Sequence, residues 1–369
     1  MKIAFIAPRY HTNQTAIISY LVDENILVDF YVTRIGQSED HTKLIPTIIK
    51  QSSFHKFIKK LIKPKNDILY DYKYGIPSLN ELYKYIVKKY DIVIIRNPNN
   101  SLALLYAICS KISKTKVVFY TQKEVYTSKN RLLKDFITKL LIRIFDANWI
   151  SPCLGDANYP KVSERLEYVP FCINIEKYSK EWFINSKINI LAIGKFEERK
   201  KHLLLIHALL KMNSINSFTL TIIGEVTTPE HQVYLEKVKK LISLNNIDVL
   251  IKTNVRPDKM KVYYMKSDLF VLPSVNEPAS VSNLEAMSYA LPVITTDTNK
   301  TSCYTENNYN GYIVKSNDLA DLTSKLKLLV DDKEKIKKFG FNSLQLVAKN
   351  HSANFVYKNY LNSILGNEV

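Results

Sequence analysis

Short apolar runs alternate with amphipathic helical stretches through almost the whole chain, and few folds tolerate that rhythm. Strands are predicted at 2–7, 27–33, 91–95, 116–120 and 147–150, with an extended piece at 166–170. A second series follows at 188–193, 218–223, 248–251, 269–272, 292–295 and 312–314. Between them lie helical patterns at 14–22, 43–62, 79–90, 100–113 and 130–145. The second half adds 200–212, 230–245, 258–265, 282–289, 318–330 and 333–348. Continuous Val/Ile/Leu runs separated by helices mean parallel sheets buried on both faces, an α/β architecture. The two series read as two consecutive doubly wound, Rossmann-like units with no short repeat.

A chain of 369 residues exceeds the size at which one core stops growing, so two domains are expected. The seam falls near 178–187, giving domains 1–178 and 179–352. A last helix near 353–366, within the tail 353–369, carries Phe355, Val356, Tyr360, Ile364 and Leu365 and is expected to pack back on the first domain. Hydrophobic residues make up 46%, which excludes a disordered chain. Cys109, Cys153, Cys172 and Cys303 are widely spaced and suggest neither a disulfide framework nor a zinc site, which fits a reducing cytosol. Met1–Pro8 is too short for a signal h-region, and no apolar run approaches the roughly 20 residues that span a bilayer.

Net charge is +17, and residues 1–180 hold +12 of it. Between His41 and Asn66 there is no acid, but there are seven lysines, Lys43, Lys50, Lys56, Lys59, Lys60, Lys63 and Lys65. Such a field attracts anions: nucleic acid, anionic lipid or phosphorylated substrates. Part of it reflects a lysine-rich composition. No aromatic–basic RNA-binding motif or basic recognition helix is present, so no nucleic-acid partner is expected.

Two basic amphipathic stretches could lie on an anionic membrane surface. In 54–65, Phe54, Phe57, Ile58 and Leu61 accompany Lys56, Lys59 and Lys60. In 130–145, Leu132, Leu133, Phe136, Ile137, Leu140, Leu141, Ile144 and Phe145 form a stripe opposite Arg131, Lys134, Lys139 and Arg143. The competing expectation is that each stripe faces the sheet.

Two segments carry chemistry. After the strand 188–193 comes Gly194-Lys195-Phe196-Glu197-Glu198-Arg199-Lys200-Lys201-His202. A Gly after a strand lets the backbone approach a ligand. Cations at the carboxyl edge of a parallel sheet sit where such folds bind phosphate, Arg199 as a planar fork and Lys200 as a point charge. The other segment is Glu277-Pro278-Ala279-Ser280-Val281-Ser282-Asn283-Leu284-Glu285, directly after the strand 269–272. One carboxylate before a helix, amides at its start and a second carboxylate inside it can hold a sugar and a phosphate together.

The order of these motifs resembles the retaining glycosyltransferases of family four. Tyr168-Val169-Pro170-Phe171-Cys172-Ile173-Asn174-Ile175-Glu176-Lys177-Tyr178 is similar to that family's linker, and 194–202 to its cation element. Residues 272–297 resemble its two-glutamate segment, and Tyr309-Asn310-Gly311-Tyr312-Ile313-Val314 its closing strand motif. The likeness covers the second half almost completely and the first half in pattern only.

The resemblance implies a GT-B fold, two Rossmann-like domains facing each other across a cleft. It implies Glu277 on the transferred sugar and Glu285 on the ribose hydroxyls, with amides of Ser280, Val281 and Ser282 on the diphosphate. Gly194, Lys195, Arg199 and Lys200 would meet the leaving diphosphate, and the backbone at Asn254 and Val255 the base. The donor would be a nucleotide-diphosphate sugar, UDP-linked by preference, with no cofactor. No Asp-x-Asp is present, so a metal is not the evident charge carrier.

Three departures matter. Ala279-Ser280 and Ala290 stand where glycine is frequent in the family, the first loop is Pro8–Gln14 without glycine, and Gln122 stands where many members have a His. Gln122 cannot exchange protons, which leaves His11, with Gln122 and Glu124, on the acceptor side. The expected activity is retaining hexosyl transfer to a saccharide or lipid-linked acceptor, in bacterial surface polysaccharide assembly on the cytoplasmic face of the inner membrane. Two alternatives remain open: a phosphorylase or hydrolase of the same fold, and a non-catalytic basic binder of membranes or nucleic acid.

Overall fold

The computed structural model describes residues 1–36, 39–65, 67–128, 132–176, 178–212 and 217–366. Arg131 and Lys177 fall outside them, as do the side chains of Leu132, Leu133 and Lys134. The chain divides into two compact units. One comprises Met1–Phe171 with Val356–Val369, the other Cys172–Phe355.

The first unit contains β1 (Lys2–Ala7), β2 (Leu27–Val32), β3 (Thr47–Ile48), β4 (Ile92–Arg96), β5 (Lys116–Tyr120), β6 (Glu124–Tyr126), β7 (Asn148–Ser151), β8 (Cys153–Gly155) and β9 (Leu166–Tyr168). Seven of these form a sheet in the order β3-β2-β1-β4-β5-β7-β9, and β6 pairs with β8. The sheet is parallel throughout, with Phe5 opposite Phe30 and Ile94, and Arg96 opposite Tyr120. Its core holds Val93, Ile95, Tyr106, Phe119 and Trp149. The chain returns to this unit after Val356, through a helix whose middle, Tyr357–Leu361, is π-helical. There Tyr357 packs on Tyr20 and Tyr360 on Tyr168, with ring centroids 5.3 and 6.0 Å apart.

The second unit contains β10 (Ile188–Ile193), β11 (Phe218–Gly224), β12 (Val249–Thr253), β13 (Leu269–Leu272), β14 (Val293–Thr296) and β15 (Gly311–Val314), in the order β12-β11-β10-β13-β14-β15. All pairs are parallel. Gly311 sits where a Cβ would come 1.9 Å from the Val293 carbonyl oxygen, so only glycine allows β15 to close on β14.

The expected helix 43–62 does not exist as one element. Pro46 cannot continue a helix, and the structure places β3 at Thr47–Ile48. The helix begins instead at Ser53, where the Ser52 hydroxyl accepts from the His55 amide at 3.1 Å. In this helix, Ser53–Ile62, the phenylalanines face outward. Phe54, Phe57 and Leu61 are 63%, 59% and 63% exposed. His55 is the buried residue, bound to Asp71 at 2.8 Å, and Lys59 holds the same carboxylate at 2.7 Å. The helix Leu132–Phe145 also turns Phe136, Ile137, Leu140 and Ile144 outward, burying Thr138 and Ile142. The stripe at 54–65 therefore faces outward, whereas that at 132–145 is divided, with Leu141 and Phe145 packed on the core. Among the described residues no helix is long and apolar enough to cross a membrane.

Candidate active site at the carboxyl edge of the second sheet

In the second sheet the strand order reverses between β10 and β13, and ligands of open α/β sheets bind outside the carboxyl ends at such a point. The loops leaving these two strands carry Gly194, Arg199, Lys200 and Glu277. They are tied together by the Val275 amide, which donates to the Arg199 carbonyl at 2.8 Å. Gly194 has a packing reason. A Cβ there would lie 2.8 Å from Lys200 Cδ, so the lysine stem lies flat across this backbone.

The Glu277 side chain is almost completely buried. Its Oε2 accepts from Lys200 Nζ at 2.6 Å and from Arg199 Nη1 at 2.8 Å. Arg199 also gives Nη2 and Nε to Glu197 Oε1, at 2.6 and 3.1 Å. Burial alone would raise the Glu277 carboxyl, but Lys200 and Arg199 outweigh it and hold the group below the usual carboxylate range. Burial pushes the Lys200 ammonium down, offset in part by Glu277. The result is a buried carboxylate flanked by one buried ammonium and one half-exposed guanidinium.

Glu285 lies on the helix Ser282–Ser288 and accepts from the Tyr264 hydroxyl at 2.5 Å. Burial raises its carboxyl above the usual range, and the Tyr264 bond opposes this only in part. Tyr264 is itself stacked flat on Tyr289, centroids 5.4 Å apart and planes 2° apart. Between the two glutamates, the Ser280 amide donates to Thr301 Oγ1 at 3.1 Å, and Thr301 is held by Asn299. That amide is therefore a structural tie, which leaves Val281 and Ser282 at the helix start. The Ser280 and Ser282 hydroxyls pair at 2.8 Å.

Lys195 turns to Glu225, 3.3 Å away. Asn254 ends β12 with φ +53, and its side chain clasps Val226, accepting from the amide at 2.9 Å and donating to the carbonyl at 3.2 Å. Asn254 and Val255 thus stand at the same sheet edge but beyond the Glu277 cluster. In the first unit, His11 precedes the helix Thr12–Asp23, with Arg9 Nε 3.4 Å from its Nδ1. Asn13 Nδ2 donates to the Tyr120 hydroxyl at 3.2 Å, two residues from Gln122. Glu124 opens β6 and accepts from Thr127 Oγ1 at 3.3 Å.

Sequence reasoning missed Glu197, Tyr264, Asn299 and Thr301. Glu197 could have been found from its two-residue spacing to Arg199. Tyr264, 21 residues from its partner, left no such trace.

Two doubly wound parallel sheets, with this cation–carboxylate cluster at one carboxyl edge, define the GT-B class. Residues 174–345 match the family glycosyl transferases group 1. That match lies within the second unit, and together with the fold it makes the protein a GT-B glycosyltransferase. It is 24% identical over 295 residues to the UDP-Gal:alpha-D-GlcNAc-diphosphoundecaprenol alpha-1,3-galactosyltransferase of Escherichia coli, covering 69% of this chain and 70% of that one. Its fold is similar to a Rickettsia africae glycosyltransferase, with TM-score 0.73 and 17% identity over 100% and 99% of the two chains. It is also similar to Anabaena HepE in complex with UDP, with TM-score 0.72 and 14% identity over 99% of each.

Proposed function

We propose that the protein is a retaining, metal-independent transferase that moves a hexose from a UDP-sugar to a lipid-linked saccharide in bacterial surface polysaccharide assembly. The observation that carries this reading is the Glu277 carboxylate, held ionised against Arg199 and Lys200 at the topological switch point. The E. coli relative, named for a UDP-galactose donor and a diphosphoundecaprenol-linked acceptor, supports the donor and acceptor classes.

The chemistry follows from charge. The bond from the anomeric carbon to the phosphate oxygen breaks, and the electron pair leaves with the nucleoside diphosphate. Arg199 and Lys200 neutralise that oxyanion as it forms, and being prepositioned they need no reorganisation. Glu277, facing the sugar, stabilises the oxocarbenium-like centre. The acceptor hydroxyl attacks from the same face and its proton passes to the departing phosphate, which retains the anomeric configuration. Glu285 receives the ribose hydroxyls.

The first unit is proposed to touch an anionic cytoplasmic membrane surface through the helix Ser53–Ile62. Its outward Phe54, Phe57 and Leu61 stand beside Lys56, Lys60 and Lys63.

Thermal unfolding against UDP, GDP, CDP and ADP tests the donor site. A ligand at about 100 times its dissociation constant adds about 2.7 kcal/mol. UDP is expected to stabilise most, and no response to any nucleotide would overturn the reading. Product analysis by NMR then decides the anomeric configuration, with retention expected.

A further inference from the structure

The two sheets share one topological break. In the first, the strand order reverses between β1 and β4, so the loops Pro8–His11 and Arg96–Asn100 occupy the place that Gly194 and Glu277 occupy in the second. The end of β2 joins them, because the amides of Thr33 and Arg34 both donate to the Pro8 carbonyl, at 3.1 and 3.3 Å.

Arginine use at this edge is uneven. The chain has 8 arginines among its 52 Lys and Arg residues, yet Arg9, Arg34 and Arg96 all follow or end strands here. Arginine adds a planar, always charged fork that matches phosphate oxygens.

Arg96 is the distinctive member. It ends β4 opposite Tyr120, and its guanidinium lies over the Tyr120 ring, 5.4 Å from the centroid. Its Nη1 is buried and has no hydrogen-bond partner, and among the described residues no carboxylate pairs with it. Arg199, by contrast, divides its guanidinium between two carboxylates. On the hydroxyl of the same tyrosine sits Asn13, whose Oδ1 is also buried without a partner. One unmet charged donor and one unmet neutral acceptor flank a single ring. Leaving both unmet is costly, and a phosphate oxygen together with a sugar hydroxyl would meet them.

Resting on the transferase reading above, we propose that Arg96 anchors the acceptor, binding a phosphate oxygen of a diphosphate-linked saccharide while Asn13 receives one of its hydroxyls. The specificity would be for the phosphate-bearing aglycone as much as for the sugar.

The test uses the full chain saturated with UDP, so that the donor site is filled. Inorganic pyrophosphate is titrated calorimetrically into wild type, Arg96→Gln and Arg96→Lys. Wild type should bind it, Arg96→Gln should lose at least about tenfold in affinity, and Arg96→Lys should fall between. In parallel, KM is measured for one saccharide on an alkyl diphosphate and on a neutral alkyl aglycone. Arg96→Gln should raise KM at least about tenfold for the first and leave the second nearly unchanged, with the UDP thermal shift intact. No pyrophosphate binding in wild type, or equal losses on the two acceptors, would overturn the proposal. Absence of any UDP shift would instead strike the transferase reading, so the two failures are separable.

Discussion

Lys200 Nζ and Glu277 Oε2, from residues 77 apart in sequence, meet at 2.6 Å with both side chains buried. A charge pair so placed joins two loops on opposite sides of the sheet reversal, and whatever moves one loop moves the other.

Removing one partner should cost more than removing both. Glu277→Ala leaves the Lys200 ammonium buried and uncompensated, for about 3–5 kcal/mol of lost stability. The double variant Lys200→Met with Glu277→Leu should recover a large part of it. Urea unfolding of the four proteins gives the cycle, and strictly additive losses would contradict a direct pair.

The two glutamates should separate in kinetics. Glu277→Gln is expected to keep the UDP thermal shift and lose turnover by a factor of about 100 or more, as removal of a group acting in the transition state does. Glu285→Ala should weaken UDP binding. Tyr264→Phe should do so by about tenfold, because it frees the carboxylate that the hydroxyl orients. Calorimetric titration of UDP checks all three.

Acid should act through Glu277 on stability. Its native pKa is held below its ordinary value of 4.5, so its contribution is fully present above about that pH. It is lost as pH falls through the lower native value. Unfolding midpoints of wild type and Glu277→Gln should therefore converge below pH 4.5. Glu285 titrates above its ordinary range, so UDP affinity should begin to weaken at a higher pH than a free carboxylate would dictate.

Gly194→Ala should disturb the site without removing a charged group. The new Cβ would stand 2.8 Å from Lys200 Cδ, and the lysine must lift off Glu277 or strain. An overpacking loss of about 1–3 kcal/mol with reduced turnover is expected, against near-neutral behaviour at an uncrowded glycine.

Phe57→Asp tests the outward helix. Because Phe57 is exposed, stability should change by no more than about 0.5 kcal/mol. Sedimentation with vesicles containing anionic lipid should fall severalfold. Unchanged sedimentation would remove the membrane from the proposal.

The sheets were legible because Ile188–Ile193 or Val117–Phe119 can be nothing but buried strand, and strands 2–7, 116–120, 188–193 and 269–272 have the expected limits. The loops around Glu277 were legible because charge directly after such a strand has one place to go. Orientation was not legible. The stripe of Phe54 and Phe57 could face either a membrane or the sheet by spacing alone; what settles it outward is His55, which turns inward to an Asp71 that no local pattern connects to it. Partners set by tertiary packing, such as Tyr264 for Glu285 or Tyr120 for Arg96, leave no mark at fixed spacing.

The first unit is interrupted: its chain leaves at Phe171 and resumes only at Val356. During synthesis it therefore waits for the whole of the second unit to emerge, a delay on the order of ten seconds or more at ordinary elongation rates. Through that interval Tyr20 and Tyr168 lack the tyrosines that will cover them. The half with the later sequence can finish first, and the earlier half stays open at Tyr20 and Tyr168 until the chain's last residues emerge.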